Sequence, residues 1–308
     1  MMNGIPLVRH FGQALLGVTL LLACTAAHAE QQFESPEDAV EALIGAAQES
    51  DKSKLLEILG PYGKDVISSG DEVADRNARD RFLESYEEKY GFESEGEDSA
   101  VLVLGEDDWP FPIPIVKAEG KWQFDTEAGL EEILIRRVGR NELSAIESAL
   151  AYVKAQQDYA ALNVDGTSPS AYALRIVSSS GQKDGLYWPT ETGESPSPLT
   201  EIFAEITDEG YEIGDKPIPR HGYYFRTLNS QGDGAKGGAR DYVVDGRMTG
   251  GFALVAHPAA YGNSGIMTFM VNQDGVVLEK DLGLETEEVV SEFDAFAPDD
   301  TWMPVETP

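Results

Sequence analysis

The chain has little cysteine, little positive charge and few histidines, and each shortage removes a class of function. Its one cysteine, Cys24, leaves no intrachain disulfide to form, so stability has to come from packing. Lysine and arginine together number 23 against 55 aspartates and glutamates, a net charge of −32 over 308 residues. A surface of that sign is repelled by phosphate backbones and anionic membranes, which excludes nucleic acid as a partner. Beyond residue 30 the only histidines are His221 and His257, too few and too widely spaced to suggest a zinc site, and no cofactor motif accompanies them. Long apolar runs are also missing after the N-terminal stretch, so no membrane-spanning helix is expected in the mature chain. What is present is a 42% hydrophobic share, the usual proportion for a globular protein, in a chain long enough for one large or two ordinary domains.

The first residues carry an address. Arg9 precedes an apolar run from Phe11 to Ala23, followed by Ala27-His28-Ala29, the small-x-small pattern cut by signal peptidase, with Glu30 opening the mature chain. The expected location is therefore the periplasm. Leu21-Leu22-Ala23-Cys24 also resembles a bacterial lipobox, which gives the alternative of a lipoprotein anchored through Cys24.

The mature chain reads as α+β in two units, 30–128 and 129–308, behind a leader of residues 1–29. In the first, Ser35 as N-cap, Pro36 at the first helical position and Val40, Leu43, Ile44 and Ala47 at helical spacing predict a helix. A second helix, Leu55 to Leu59, is stopped by Gly60-Pro61, and a third runs from about Asp71 to Tyr90. A loop from Glu93 to Asp98 leads to short strands over Val101–Leu104, Phe111–Val116 and Trp122–Phe124, the last two joined at Glu119-Gly120-Lys121. The second unit opens with a long helix from about Gly129 to Leu162-Asn163, with Gly139 as a point of kinking. A Ser, Gly and Pro-rich region follows, with loops at Glu194–Pro198 and Gly210–Pro219. After it come strands over Gly222–Leu228, Tyr242–Val244, Gly251–Ala256, Ile266–Val271 and Val276–Leu278, with a tight turn at Asn272-Gln273-Asp274-Gly275.

Several residue groups invite a chemical reading. Tyr187-Trp188-Pro189 and His221-Gly222-Tyr223-Tyr224-Phe225, with Arg226, either converge on an aromatic pocket or form core and rim; Tyr187, Trp188, His221, Tyr223, Tyr224 and Arg226 are the candidate ligand-binding residues. Trp109-Pro110-Phe111-Pro112-Ile113-Pro114 reads as an edge strand lacking donors, or as a groove for a ligand. Asn263-Ser264-Gly265, close after His257, offers a serine without the Gly-x-Ser-x-Gly elbow and reads as a turn. Glu106-Asp107-Asp108, Asp294 with Asp299-Asp300, and Asn163, Asp165 and Gly166 hold the oxygen ligands calcium prefers, but in so acidic a chain they read as solvated surface. Gly232 to Arg240 lacks the frame of a phosphate-binding loop and reads as a hairpin loop.

Three resemblances accompany these readings. The order of helices then sheet in the first unit is similar to the nuclear-transport-factor-2-like cone, and the long helix followed by a meander resembles the globular part of type IV pilins and pseudopilins, without their apolar stem. The strings Asp107-Asp108-Trp109-Pro110-Phe111-Pro112-Ile113-Pro114, Arg140-Asn141-Glu142-Leu143, Asp184-Gly185-Leu186-Tyr187-Trp188-Pro189, His221-Gly222-Tyr223-Tyr224-Phe225 and Asn272-Gln273-Asp274-Gly275-Val276 together resemble a secreted bacterial family, domain of unknown function 2950. That resemblance implies an exported protein and carries over no catalytic residue. The function expected is a non-enzymatic envelope binding or assembly factor, its partner another envelope or secreted protein or a cell-wall polymer; the alternative is a small-pocket hydrolase or isomerase.

Overall fold

A computed structural model describes residues 31–305 apart from 95, 165, 191–192 and 214–216. The expected leader with Cys24, the expected loop residue Asp165 and the middle of the Gly210–Pro219 segment lie outside the described residues. The architecture is α+β, helices with mainly antiparallel sheets, built around two hydrophobic cores.

The N-terminal core forms where capping and periodicity agree. Helix α1 (Pro36–Gln48) begins where Ser35 Oγ accepts from the Asp38 N–H at 3.1 Å, and it buries Val40, Leu43 and Ile44. Helix α2 (Lys52–Leu59) is capped by Asp51 and stopped by Gly60 at φ +68°. After the short α3 (Gly63–Ile67), α4 (Glu72–Glu88) is capped by Asp71. Strands β1 (Tyr90–Ser94), β2 (Ser99–Leu104), β3 (Trp109–Pro110), β4 (Ile115–Ala118) and β5 (Lys121–Phe124) make a sheet of order β1-β2-β4-β5, with β3 pairing on the end of β2.

Two expectations fail here. Glu93 and Ser94 belong to β1 rather than to a loop, because they continue its ladder opposite Val101 and Ala100. Phe111–Val116 is not one strand: prolines at 110, 112 and 114 offer no N–H, and pairing resumes only at Ile115. Trp109 is 43% exposed while Ile113 is fully buried, so this string does not present a single face.

Helix α5 (Thr126–Leu162) runs 37 residues, about 55 Å at 1.5 Å per residue, from the Asp125 cap to Asn163 at φ +45°. It passes through Gly139 without a break, and a Cβ there would meet nothing within 4 Å. At Gly129 a Cβ would sit 2.7 Å from Ile113 Cα, so the helix start presses directly on the N-terminal core. Farther along, Ala145, Ala149, Tyr152 and Val153 enter the C-terminal core, so one helix serves both.

That second core is organised around a sheet. The chain makes a parallel pair, β6 (Arg175–Val177) and β7 (Gly185–Tyr187), then α6 (Thr200–Asp208), none of which the sequence reading anticipates. Strand β8 (Tyr223–Leu228) leads to a hairpin of β9 (Ser230–Gln231) and β10 (Arg240–Asp241), and a second of β11 (Val243–Val244) and β12 (Arg247–Met248). Strands β13 (Ala253–Pro258), β14 (Met267–Asn272) and β15 (Leu278–Asp281), helix α7 (Thr286–Ser291) and β16 (Met303–Pro304) complete it, in sheet order β16-β15-β14-β13-β8. Arg226 reaches the carbonyls of Val290 and Phe293 at the end of α7, while its neighbour Thr227 meets Tyr152 of α5. Successive side chains of a strand point to opposite faces, so α7 and α5 cover the two sides of this sheet.

A polar seam joins the two units. Arg137 donates to the carbonyls of Asp65 (2.8 Å) and Val66 (2.7 Å) and to Asn263 Oδ1, and Asn263 Nδ2 donates to the Ser68 carbonyl at 2.8 Å. Within the second unit, Asn141 Nδ2 donates to the Ser264 carbonyl at 2.9 Å and holds the same turn. The Asn263-Ser264-Gly265 turn is thus a clasp between units. Among the described residues no helix is long and apolar enough to cross a membrane.

Candidate ligand cleft

Beside β8 lies a cleft of about 670 Å³, bounded by α5, β6, α6 and the chain leading into β8. Its apolar wall comes mainly from α6. Following prolines 196 and 198, the Thr200 N–H donates to the Ser197 carbonyl at 3.0 Å and the helix turns Leu199, Ile202, Phe203 and Ile206 to one side. Gly210 at φ +94° ends it, and Tyr211 N–H returns to the Ile206 carbonyl at 3.0 Å. Tyr187 stacks flat on Phe203, centroids 4.2 Å apart and planes 9° apart, and so props that wall from behind.

The polar end of the cleft is a tight turn. Arg220 and Tyr223 exchange backbone hydrogen bonds of 2.8 and 3.0 Å, leaving His221 (φ +47°) and Gly222 (φ +76°) as its two central residues. Both in the left-handed region is the signature of a type I′ turn, and glycine is required at the second: a Cβ on Gly222 would lie 2.5 Å from Asn141 Nδ2. The turn is tied to the N-terminal unit by Asp71. Its Oδ1 caps α4 by accepting from Val73 and Ala74 N–H; its Oδ2 accepts from the Tyr211 hydroxyl at 2.8 Å and the Gly222 N–H at 3.0 Å. The His221 N–H in turn donates to Tyr211 Oη at 3.1 Å, so one buried carboxylate sets both the helix start and the turn.

Electrostatically this end is mixed. His221 Nε2 is 2.9 Å from Glu209 Oε2. Arg220 is half-buried, and burial lowers its pKa against the opposing pull of Glu209 and Glu205; its Nε has no partner among the described residues. Burial raises the Tyr211 hydroxyl well above the ordinary range, with Asp71 and Glu209 adding to it, so it stays a neutral donor. Tyr152, on the α5 side, is raised to about 12 by burial. The histidine ring is thus held by a carboxylate, and among the described residues it bonds to no hydroxyl, which leaves a potential proton carrier without an attached nucleophile.

The six candidate residues separate. His221 and Arg226 line the cleft and Tyr187 backs its wall. Trp188 is buried against Tyr159, with Lys183 5.5 Å over its ring. Tyr223 is fully buried, its hydroxyl donating to the Met267 carbonyl at 2.9 Å, and Tyr224 lies against His257, 5.5 Å between rings. His257 Nδ1 is 3.2 Å from the Pro258 carbonyl, and the buried Ser264 hydroxyl is engaged with Ala260, so these two form no catalytic pair. The sequence reading missed the α6 residues, Arg220, Glu209, Tyr211 and Asp71. Only α6 left a signal, the apolar spacing of Ile202, Phe203 and Ile206.

Among the described residues no group of three or more histidine, cysteine, aspartate or glutamate side chains is set to hold a metal ion. Asp108 is paired with Lys89, and Asp299 with Lys280 and the Thr301 hydroxyl. No curated protein and no solved structure matches the chain, and the expected likenesses to the transport-factor cone and to pseudopilins are not confirmed. A family model matches residues 30–305, and the protein therefore belongs to the family described as protein of unknown function (DUF2950).

Proposed function

We propose that this protein is an exported, non-enzymatic binding or assembly factor of the cell envelope, and that the cleft beside β8 is where it holds its partner. The observation that carries the reading is the composition of that cleft: an apolar wall of Leu199, Ile202, Phe203 and Ile206, with Phe225 and Leu254 also lining it, bordered by polar and charged groups from α5, β6 and the turn at His221. Export to the periplasm follows from the leader, with anchoring through Cys24 as the alternative. The partner class is another envelope or secreted protein, or a cell-wall polymer.

The test uses a neutral apolar fluorophore, N-phenyl-1-naphthylamine, titrated into the mature chain and into Ile202→Glu, whose side chain is only half-buried. Saturable binding lost in a variant with unchanged circular dichroism supports the cleft. Absent binding, or binding retained by the variant, overturns it. The His221–Glu209 pair beside the half-buried Arg220 favours one second reading, an acid–base reaction on an anionic substrate. Turnover of carboxylate or phosphate esters that disappears in His221→Asn would establish it.

A further inference from the structure

We infer that β8 accepts an extended segment of another polypeptide as an added strand, an inference that rests on the cleft being the binding site. The backbone register carries it. The Gly222 carbonyl accepts from the Ala259 N–H at 2.8 Å, and β8 pairs with β13 from Tyr223↔Pro258 to Leu228↔Ala253. In an antiparallel ladder bonding alternates, so residues 224, 226 and 228 bond to β13 while 223, 225 and 227 point their N–H and C=O groups the other way. Those of Tyr223 are taken by Arg220 in the tight turn. Those of Phe225 and Thr227 have no partner among the described residues, and both residues border the cleft. Free donors and acceptors along an edge, next to apolar side chains, are what an incoming strand pairs with.

Charge selects the occupant. Two of the three arginines beside the cleft are engaged, Arg226 with the carbonyls ending α7 and Arg175 with Asp184, and the third, Arg220, is opposed by the charges of Glu209 and Glu205. The rim carboxylates Glu147 and Glu212 have no ion-pair partner among the described residues. The uncompensated charge at the rim is therefore negative, in a chain of net charge −32. A strand fitting this edge alternates apolar residues toward α6 and carries lysine or arginine at its ends.

The probe is a set of capped, fluorescein-labelled heptapeptides in which valine, isoleucine, leucine or phenylalanine alternates with threonine between terminal lysines, read by fluorescence anisotropy on the mature chain. Binding is expected, weakened about tenfold or more when the peptide amides are N-methylated, and weakened when the terminal lysines become glutamates. Thr227→Pro, which removes one outward N–H at an edge position, is expected to lose binding, while Thr227→Val keeps it. Peptides that bind equally well after N-methylation, or equally well to Thr227→Pro, overturn strand addition. If Thr227→Pro is misfolded by circular dichroism, the N-methylated peptides decide alone. If N-phenyl-1-naphthylamine binds and is lost in Ile202→Glu while no peptide binds, strand addition is wrong and the cleft stands; if neither binds, both are wrong.

Discussion

The two five-stranded sheets treat their edges differently. In the N-terminal sheet, Phe33 and Trp122 exchange backbone hydrogen bonds of 2.7 and 2.9 Å, so the chain itself closes the outer side of β5. The opposite edge, β1, stands in solvent with Glu93 and Ser94 exposed, and charge there deters pairing. In the C-terminal sheet, β16 is two residues long and includes a proline, another blunted edge. Among the described residues, only β8 of these edges meets the cleft with backbone groups unpaired. On the proposed reading the ligand sits at this edge beside the hydrophobic wall, and the N-terminal unit serves as its mount.

If the N-terminal unit is a mount, cutting its connection should cost the most. Asp71→Ala removes the α4 cap and strands the Tyr211 hydroxyl and Gly222 N–H, and is expected to lose about 3 kcal/mol in urea unfolding, with cleft binding weakened at the same time. A loss below about 1 kcal/mol would mean that the seam does not hold the turn. Next in size is a pair on one helix. Gly129→Ala drives a methyl into Ile113 and should cost about 2 kcal/mol. Gly139→Ala, exposed and unobstructed, should gain about 0.5–1 kcal/mol, so the two melting temperatures move in opposite directions.

The smallest effect separates the two faces of the C-terminal sheet. Burial holds the His257 pKa below its ordinary 6.5, so the unfolded chain binds that proton more readily. The stability from keeping it neutral is present above about pH 6.5 and lost as pH falls. His257→Leu should therefore show a shallower fall in melting temperature between about pH 7 and 5 than the native chain, without changing dye binding, because His257 lies away from the cleft. An unchanged slope would contradict this assignment.

Much of the fold was legible because it is written locally. Ser35-Pro36 and the spacing of Val40, Leu43 and Ile44 specify α1 on their own, and the apolar repeat along α5 survives Gly139 because that glycine faces solvent. Where proline removed donors, at 110, 112 and 114, the sequence suggested a strand that pairing does not sustain. Among the elements it missed, α6, α7, β6 and β7 are three to nine residues long and gain their stability from the C-terminal core rather than from propensity. The cleft was the least legible part. Its turn is set by Asp71, 151 positions before Gly222, and nothing in a local pattern links the two. The aromatic strings drew attention to His221 and Arg226, but composition alone does not distinguish the buried Tyr223 and Trp188 from residues that line a site.

The most direct measurement is a two-dimensional amide NMR titration of the 15N-labelled chain from Glu30 onward with N-phenyl-1-naphthylamine. The account predicts shifts concentrated at Ile202, Phe203, Ile206, Phe225 and Thr227, with β1 to β5 unmoved. Shifts centred on the N-terminal sheet, or none at saturating dye, would contradict it.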